Sequence, residues 1–185
     1  AKSLTPQMLE QLCAITARRD LPGAIILTGA GKVFSAGADL DAARAGLATS
    51  TLWEQLSGQI AALPCLTIAA LNGTVAGGAF GMALACDIRL AVPAAKFFYP
   101  VMRLGFLPQP SDPARMTTLV GPARTKMLLM TGAKIDADTA LGWGLIDRIT
   151  APASLMDDAQ SLAADACGAA PTHVAAIKQL VVGQA

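Results

Sequence analysis

The amino-acid sequence predicts an α/β fold, arranged as a single domain over residues 1–185. Three short apolar runs alternate with segments in which apolar residues recur at helical spacing. Such alternation is typical of parallel strands joined by helices. The length is sufficient to bury a hydrophobic core, and the sequence contains no internal repeat, low-complexity segment or linker.

The first two elements are predicted from the stretch before residue 30. "TPQMLEQLCAITARR" has the apolar spacing of a helix, in which Thr5 is a suitable N-cap and Pro6 suits the first helical position. "GAIILTG" is a short apolar run that ends in glycine, and it indicates a buried strand.

The next elements repeat this order of helix and strand. "TSTLWEQLSGQIAALP" predicts a helix that ends before Pro64, and "CLTIAALNG" predicts a second buried strand that ends in a turn. A glycine-rich segment with a helical apolar pattern follows in "VAGGAFGMALACDIRLA". A third strand is predicted in "DIRLAVP".

The second half is predicted to be mainly helical. "SDPARMTTLVG" has Asp112 as a possible N-cap, Pro113 at the first helical position and Gly121 as the end of the helix. The next segment, "GPARTKMLLMTG", is predicted to be a helix, and "DADTALGWGLIDRIT" is predicted to be a short helix followed by a strand. Two closing helices are predicted in "PASLMDDAQSLAADACGAAP" and "PTHVAAIKQLV".

The composition is that of a globular protein and excludes several function classes. Hydrophobic residues make up 54% and charged residues 15%, and the formal net charge of +1 gives no electrostatic footprint for nucleic acid. No apolar run approaches about 18 residues, so no membrane span is predicted, and no signal peptide opens the chain. The four cysteines are scattered in apolar contexts, which favours buried thiols in a reducing cytoplasm over disulfides or a zinc site.

Two glycine-rich turns, each after a predicted strand, are the main functional signal: "LTGAGKVFSAGADL" and "LNGTVAGGAFGMAL". The first fails as a P-loop because Val33, and not Ser or Thr, follows Lys32. The second is a weak match to a dinucleotide fingerprint, because residues 76–81 lack its first glycine. Each turn taken alone could serve only close packing. Two such turns together suggest a pair of backbone N–H groups that face one pocket, as an oxyanion hole requires.

These two segments, and the stretch "LGFLPQPSDPARMTTLVGPARTKMLLMTGAKIDADTALGWGLIDRI", resemble the crotonase (enoyl-CoA hydratase/isomerase) superfamily over nearly the whole chain. The resemblance implies a spiral of ββα units that assembles as trimers or pairs of trimers. It also implies that the usual N-terminal hairpin and C-terminal helices are not in this sequence. The spacing from Asp39 to Pro64 is shorter than is usual in the family.

The resemblance assigns binding roles to several positions. The backbone amides of Ala38 and Gly78 would form the oxyanion hole for the thioester carbonyl of an acyl-CoA. Ala36 would line the adenine pocket, and Leu40 would lie beside the bound CoA. Asp39 falls within this CoA-binding segment, although capping of the local backbone is the favoured interpretation of its carboxylate.

The two glutamates of the family's hydratases are missing. Their positions hold Gly81 and Val101, and neither residue can transfer a proton. The two-glutamate hydration mechanism is therefore not expected, and the pocket has room for a bulkier or more apolar acyl group. Asp112 and Tyr99 are the candidate substitutes, against the alternatives of an N-cap for Asp112 and a pocket wall or core position for Tyr99. Ser111 could position a water molecule.

The remaining polar candidates are interpreted as structural or solvated. Asp87 and Arg115 match recurrent family positions with structural roles, and Trp143 is assigned to the core. The single histidine, His173, is assigned to the surface or an interface. Three basic residues could meet the phosphates of CoA, although solvation is the default for each: Lys2, Lys32 and Arg103.

The resemblance therefore implies a lyase or isomerase of fatty acid metabolism that acts on an acyl-CoA through a stabilised enolate, and the cysteines favour the cytoplasm. Coenzyme A would enter as part of the substrate, with no separate cofactor and no metal. The expected partners are further copies of the chain, in a homotrimer or hexamer, with no nucleic acid and no membrane. The alternative is a non-catalytic acyl-CoA-binding or assembly subunit with the same fold.

Overall fold

A computed structural model describes residues 3–18 and 22–182 of the chain. Within this part the helices are α1 (Pro6–Thr16), α2 (Leu40–Arg44), α3 (Leu52–Ala61), α4 (Ala79–Ala85), α5 (Val101–Leu104), α6 (Asp112–Val120), α7 (Pro122–Met130), α8 (Ala137–Trp143), α9 (Leu155–Gly168) and α10 (Pro171–Val182), with a 3₁₀ turn at Leu47–Thr49. The strands are β1 (Ala24–Thr28), β2 (Leu66–Leu71), β3 (Val75–Ala76), β4 (Ile88–Ala91), β5 (Lys96–Phe98), β6 (Ile135–Asp136) and β7 (Arg148–Ile149).

The larger sheet has the strand order β1-β2-β4-β7, and all of its strands are parallel. The three apolar runs identified in the sequence form β1, β2 and β4, as predicted. Strand β2 is buried along nearly its whole length, because helices cover the sheet and α9 packs against β1, β2 and β4. A strand buried on both faces has a continuous apolar sequence, which explains the run "LTIAAL".

The smaller sheet has the order β3-β5-β6, in which β3 and β5 are parallel and β5 and β6 are antiparallel. The sequence analysis did not predict these three strands. Each has only two or three residues, so none shows an alternating pattern. The smaller sheet holds β3, from which the second glycine-rich turn leads into α4.

The longer helices agree with the predicted segments, whereas the short helices α2 and α5 were not predicted. Caps explain where several of the predicted helices begin. The hydroxyl of Thr5 accepts a hydrogen bond from the Met8 amide at 3.3 Å, and Pro6 occupies the first turn of α1, as predicted. Pro64 lies shortly after the end of α3, and Gly121 follows α6 with a positive φ of 80°.

Two expectations about buried side chains are wrong. Three of the cysteines are buried free thiols, but Cys167, next to the last residue of α9, is exposed. Trp143 is only partly buried at the end of α8, and the guanidinium of Arg124 lies 5.4 Å from the centre of its ring. No helix in the described part of the chain is both long and apolar enough to cross a membrane.

Candidate active site

The two glycine-rich turns meet at one cavity of about 170 Å³. Ala38 from the first turn and Gly78 from the second both line it. The remaining walls come from α3, from the segment between β5 and α5, and from the loop before α6, and include Trp53, Tyr99, Val101 and Gln109. Residues of both turns therefore line one cavity, and the role of their N–H groups as an oxyanion hole stays a prediction.

Backbone pairing holds the two turns together. Ser35 forms a parallel bridge with Val75, in which its amide donates to Thr74 O at 3.0 Å and its carbonyl accepts from the Ala76 amide at 3.1 Å. Gly37 has a φ of 92°, and a β-carbon there would lie 3.0 Å from the Ala76 carbonyl oxygen. Glycine is therefore required at position 37 both by the backbone conformation and by the approach of the second turn.

The amides of Ala38 and Gly78 are available to a ligand. Within residues 3–18 and 22–182, neither N–H donates a hydrogen bond to another residue, although the neighbouring Asp39 amide donates to Leu4 O at 2.9 Å. Both residues are partly buried and line the same cavity, so their N–H groups can donate to an acceptor that binds there. Gly78 also precedes α4, where the first helical turn carries partial positive charge.

Trp53 on α3 closes one side of the cavity. A β-carbon at position 78 would lie 2.8 Å from the indole ring, so glycine there allows the ring to pack directly on the backbone. The indole N–H donates to Leu47 O at 2.8 Å, which ties α3 to the 3₁₀ turn. The short segment after Asp39 therefore contributes a wall of the cavity, and the sequence analysis did not single out Trp53.

Gly81, to which the resemblance assigns the first hydratase glutamate, lies beside a carboxylate from another helix, that of Asp112. Gly81 is buried in α4, and a β-carbon on it would lie 2.8 Å from Oδ1 of Asp112. The carboxylate of α6 thus fills the space in which a side chain at position 81 would begin. Val101, to which the resemblance assigns the second glutamate, is buried and lines the cavity.

Asp112 is not the N-cap of α6, contrary to one sequence interpretation. Ser111 occupies the cap position, and Asp112 is the first helical residue, with an exposed fraction of 0%. The carboxylate of Glu54, on α3, accepts hydrogen bonds from the Ser111 amide at 3.1 Å and from the Ser111 hydroxyl. A carboxylate near a helix N-terminus is favourable. Because Glu54 provides this carboxylate for α6, the carboxylate of Asp112 can point inward.

Asp112 and Tyr99 form a buried pair beside the cavity. The Tyr99 hydroxyl donates to Oδ2 of Asp112 at 2.9 Å and accepts a hydrogen bond from the Gln109 amide at 3.4 Å. The second oxygen of Asp112, Oδ1, is buried without a hydrogen-bond partner. Tyr99 lines the cavity whereas Asp112 lies behind it, and the tyrosine ring stacks on Phe80 at a centroid distance of 5.6 Å.

Burial sets the proton affinities of this pair. It raises the pKa of Asp112 from 3.8 to about 6, against the opposing effects of the Tyr99 hydrogen bond and the Arg115 charge. Burial, followed by the nearby charge of Asp112, also raises the pKa of Tyr99. The tyrosine is therefore a neutral hydroxyl at physiological pH, next to a carboxylate that can accept a proton.

The structural interpretations of three charged residues are confirmed. Asp39 caps α2, where its Oδ1 accepts hydrogen bonds from the Asp41 and Ala42 amides. Asp87 accepts hydrogen bonds from the amide and hydroxyl of Thr67 and forms an ion pair with Lys178 at 2.7 Å. Arg115 donates to the hydroxyl of Ser57 at 3.0 Å, which joins α6 to α3.

The other CoA-binding candidates lie at the edge of the site or away from it. Ala36 is exposed at the cavity wall, and Leu40 begins α2, although its side chain lies outside the described part of the structure. The side chains of Lys32, Arg103 and His173 are exposed, and Lys2 lies outside the described residues. Among the described residues, no group of three or more histidine, cysteine or acidic side chains could hold a metal ion.

A second, larger groove of about 490 Å³ lies between α9, α10 and the start of β2. It is lined mainly by apolar residues, and the glycine-rich turns do not reach it. The smaller cavity has the unpaired backbone donors and the buried titratable pair, and it is therefore the candidate active site.

A family model described as enoyl-CoA hydratase/isomerase matches residues 2–185. The chain belongs to the enoyl-CoA hydratase/isomerase family. It is 38% identical to carnitinyl-CoA dehydratase from Citrobacter koseri, over 87% of this chain and 63% of that protein. It is also 38% identical to carnitinyl-CoA dehydratase from Escherichia coli K12, over 84% of this chain and 61% of that protein.

Solved structures place the fold in the same family. Enoyl-CoA hydratase from Bacillus anthracis superposes with a TM-score of 0.88 at 30% identity, over 97% of this chain and 73% of that one. DspI from Pseudomonas aeruginosa superposes with a TM-score of 0.87 at 30% identity, over 98% of this chain and 78% of that one. The crotonase fold predicted from the sequence is confirmed, and this chain spans less than two thirds of the length of the curated relatives named above.

Three residues with a part in the site were missed by sequence reasoning: Trp53, Glu54 and Gln109. Trp53 and Glu54 lie in a helix with an ordinary amphipathic pattern, and nothing in that pattern distinguishes them from core and surface positions. The glutamine contributes its backbone amide to Tyr99, a role that any residue other than proline could fill. Long-range contacts, and not local patterns, give these residues their roles.

Proposed function

We propose that this protein is an acyl-CoA enzyme that stabilises an enolate, or enolate-like, form of a thioester at the cavity between its two glycine-rich turns. The observation that carries the proposal is the pair of unpaired amides, Ala38 and Gly78, beside one cavity. Two fixed donors aimed at a carbonyl oxygen stabilise the negative charge that develops there when a proton leaves Cα. Family membership supplies the substrate class, an acyl-CoA.

The reaction differs from two-glutamate hydration, because Gly81 and Val101 occupy the glutamate positions. The relatives named as carnitinyl-CoA dehydratases favour a lyase that removes water from a 3-hydroxyacyl-CoA or adds it to an enoyl-CoA. Isomerisation, decarboxylation and C–C bond hydrolysis proceed through the same stabilised enolate. Coenzyme A is then part of the substrate, and no further cofactor takes part.

Assembly into a trimer or hexamer in the cytoplasm, in fatty acid metabolism, belongs to the same proposal. Several large apolar side chains lie open on the surface of the single chain, including Leu107 with 88% of its surface exposed. Contiguous exposed apolar surface is typical of an interface. The three buried free thiols are consistent with a reducing compartment.

Titration with acetoacetyl-CoA, followed by ultraviolet difference spectroscopy, tests this proposal. A working oxyanion hole stabilises the enolate of this ligand, so we expect a saturable spectral change in the wild-type protein. Ala38→Pro removes one amide proton and should abolish most of the change, whereas the matched variant Ala38→Ser retains the amide and the change.

Absence of any saturable change, together with no binding of free CoA, would refute the proposal. Binding of acetoacetyl-CoA with equal spectra in Ala38→Pro and wild type would favour the alternative, a non-catalytic acyl-CoA-binding or assembly subunit. Thermal unfolding of both variants checks that the substitutions leave the fold intact.

A further inference from the structure

Among the described residues that line the cavity between the glycine-rich turns, one has a titratable side chain. That side chain is Tyr99, and its hydroxyl is joined to the buried carboxylate of Asp112 at 2.9 Å. Any proton that leaves a bound substrate for the protein in this cavity therefore meets the tyrosine first.

The surroundings of Asp112 do not require a carboxylate for structural reasons. The cap of α6 is supplied by Glu54, and Arg115, one turn along the helix, donates its hydrogen bond to Ser57 instead. One carboxylate oxygen has no hydrogen-bond partner, and the side chain has an exposed fraction of 0%. Burying a charge that is only partly satisfied costs free energy, so a compensating role in the chemistry of the cavity is expected.

We propose that Tyr99 and Asp112 form a proton relay that replaces the missing glutamate of position 81, with Tyr99 as the catalytic residue and Asp112 as the residue that receives the proton behind it. The inference rests on the proposed function, because it needs an acyl-CoA thioester at the Ala38 and Gly78 amides. The carboxylate reaches the space that residue 81 vacates, where Oδ1 lies 2.8 Å from the position of an added β-carbon.

The step is balanced within the pair and the substrate. The Cα–H bond breaks, and its electron pair forms the enolate that the two amides stabilise. The proton bonds to Oη of Tyr99 while the proton of that hydroxyl passes to Oδ2 of Asp112. Tyr99 is again a phenol, Asp112 is a neutral carboxylic acid, and the reverse transfer returns the proton to carbon or to a departing group.

Two contacts favour a concerted transfer over a free phenolate. The negative Asp112 lies next to the hydroxyl, so a phenolate beside it would be repelled, and burial also opposes its charge. The Gln109 amide donates to Oη at 3.4 Å and supports the negative charge that develops on this oxygen during transfer.

The test compares wild type, Tyr99→Phe and Asp112→Asn, with Asp157→Asn as the matched control that makes the same carboxylate-to-amide change at an exposed position of α9 outside the cavity lining. Binding of acetoacetyl-CoA is measured by calorimetry, and the enolate band of the bound ligand is measured by absorbance. We expect binding within about threefold of wild type in all variants. The enolate band should fall at least tenfold in Tyr99→Phe and Asp112→Asn and remain in Asp157→Asn.

The pH dependence gives a readout that a purely structural role would not produce. In the wild type the band should decrease as the pH falls through about 6, where the carboxylate of Asp112 becomes protonated. An unchanged band in both Tyr99→Phe and Asp112→Asn, or a wild type that binds the ligand without forming the band, would overturn the relay. Failure of the wild type to bind at all would instead overturn the proposed function.

Discussion

Position 81 shows at the residue scale how two distant positions share one space. The nearest atom to an added β-carbon on Gly81 is Oδ1 of Asp112, at 2.8 Å, a distance that β-carbons essentially never show. A side chain at position 81 and an inward carboxylate at position 112 are therefore mutually exclusive without movement of α4 or α6. The glycine at position 81 and the inward aspartate at position 112 are therefore one structural feature.

This exclusion predicts non-additive stabilities. Gly81→Ala should lower the free energy of unfolding by about 1–3 kcal/mol, because the new methyl group overpacks against the carboxylate. In an Asp112→Gly background the same substitution should cost less or become favourable, because the space is empty and alanine is the better helix former. Urea unfolding of the four proteins measures the coupling, and additive effects would contradict the shared space.

The raised pKa of Asp112 also predicts a pH effect on stability. At neutral pH the carboxylate is charged in the folded and unfolded chains, and only the folded chain bears the cost of burial. As the pH falls from about 6 towards 3.8, the folded chain binds a proton that the unfolded chain does not, so this cost is removed. Asp112→Asn has no such titration.

Urea unfolding at pH 7.5 and pH 4.5 measures this difference. The stability of Asp112→Asn relative to wild type should be greater at pH 7.5 than at pH 4.5, by up to about 2 kcal/mol. The other carboxylates titrate equally in both proteins, so their contribution cancels when the free energies of unfolding are subtracted. A difference that does not change with pH would show that burial does not perturb this group.

The identity of the N-cap of α6 shows what a sequence cannot supply at this scale. Asp before Pro is a common helix start, so the pattern favoured Asp112 as the cap. The carboxylate that serves the helix N-terminus comes from Glu54, which is 57 residues away from Ser111 in the chain. Only the packing of α3 beside α6 decides between the two carboxylates.

At the element scale, the site depends on two turns that approach each other closely. Gly37 is constrained both by its φ of 92° and by the Ala76 carbonyl, 3.0 Å from an added β-carbon. Gly31, in the same loop, has a similar φ of 81° but nothing within 4 Å of an added β-carbon. Comparison of Gly31 with Gly37 therefore distinguishes the effect of the positive φ from the effect of the contact with the second turn.

Alanine substitutions at these two glycines therefore give a matched comparison. Both should lose about 1–2 kcal/mol of stability, because a side chain disfavours the left-handed conformation. Only Gly37→Ala should also weaken the binding of acetoacetyl-CoA, because its methyl group pushes the Ala38 amide away from the second turn. Equal binding by the two variants in a calorimetric titration would contradict this view of the site.

Long elements were predictable from the sequence and short ones were not. The helices with clear apolar spacing, and the strands β1, β2 and β4 of the parallel sheet, follow patterns that can be read from the local sequence. Strands β3, β5 and β6 exist because their neighbours offer hydrogen-bond partners, and no local preference marks them. The second glycine-rich turn follows β3 directly. The glycine motif and the family resemblance therefore indicated this candidate site, although hydrophobic periodicity did not reveal the strand.

At the scale of the whole molecule, the fold brings two backbone donors and one buried, hydrogen-bonded tyrosine–aspartate pair to the same cavity. The donors come from turns that follow β1 and β3, and the pair comes from the segments before α5 and at the start of α6. The sequence identified all four residues as candidates but left open whether they meet. Their juxtaposition is the part of the account that required the structure.

The central claim is that Ala38 and Gly78 polarise the carbonyl of an acyl-CoA thioester. The infrared spectrum of bound butyryl-CoA, labelled with ¹³C at that carbonyl, tests it most directly, because hydrogen bonds to the oxygen weaken the C=O bond. The account predicts a stretching band at lower frequency than in free butyryl-CoA, with the shift reduced in Ala38→Pro and kept in Ala38→Ser. A bound ligand whose carbonyl band coincides with that of free butyryl-CoA would contradict the claim.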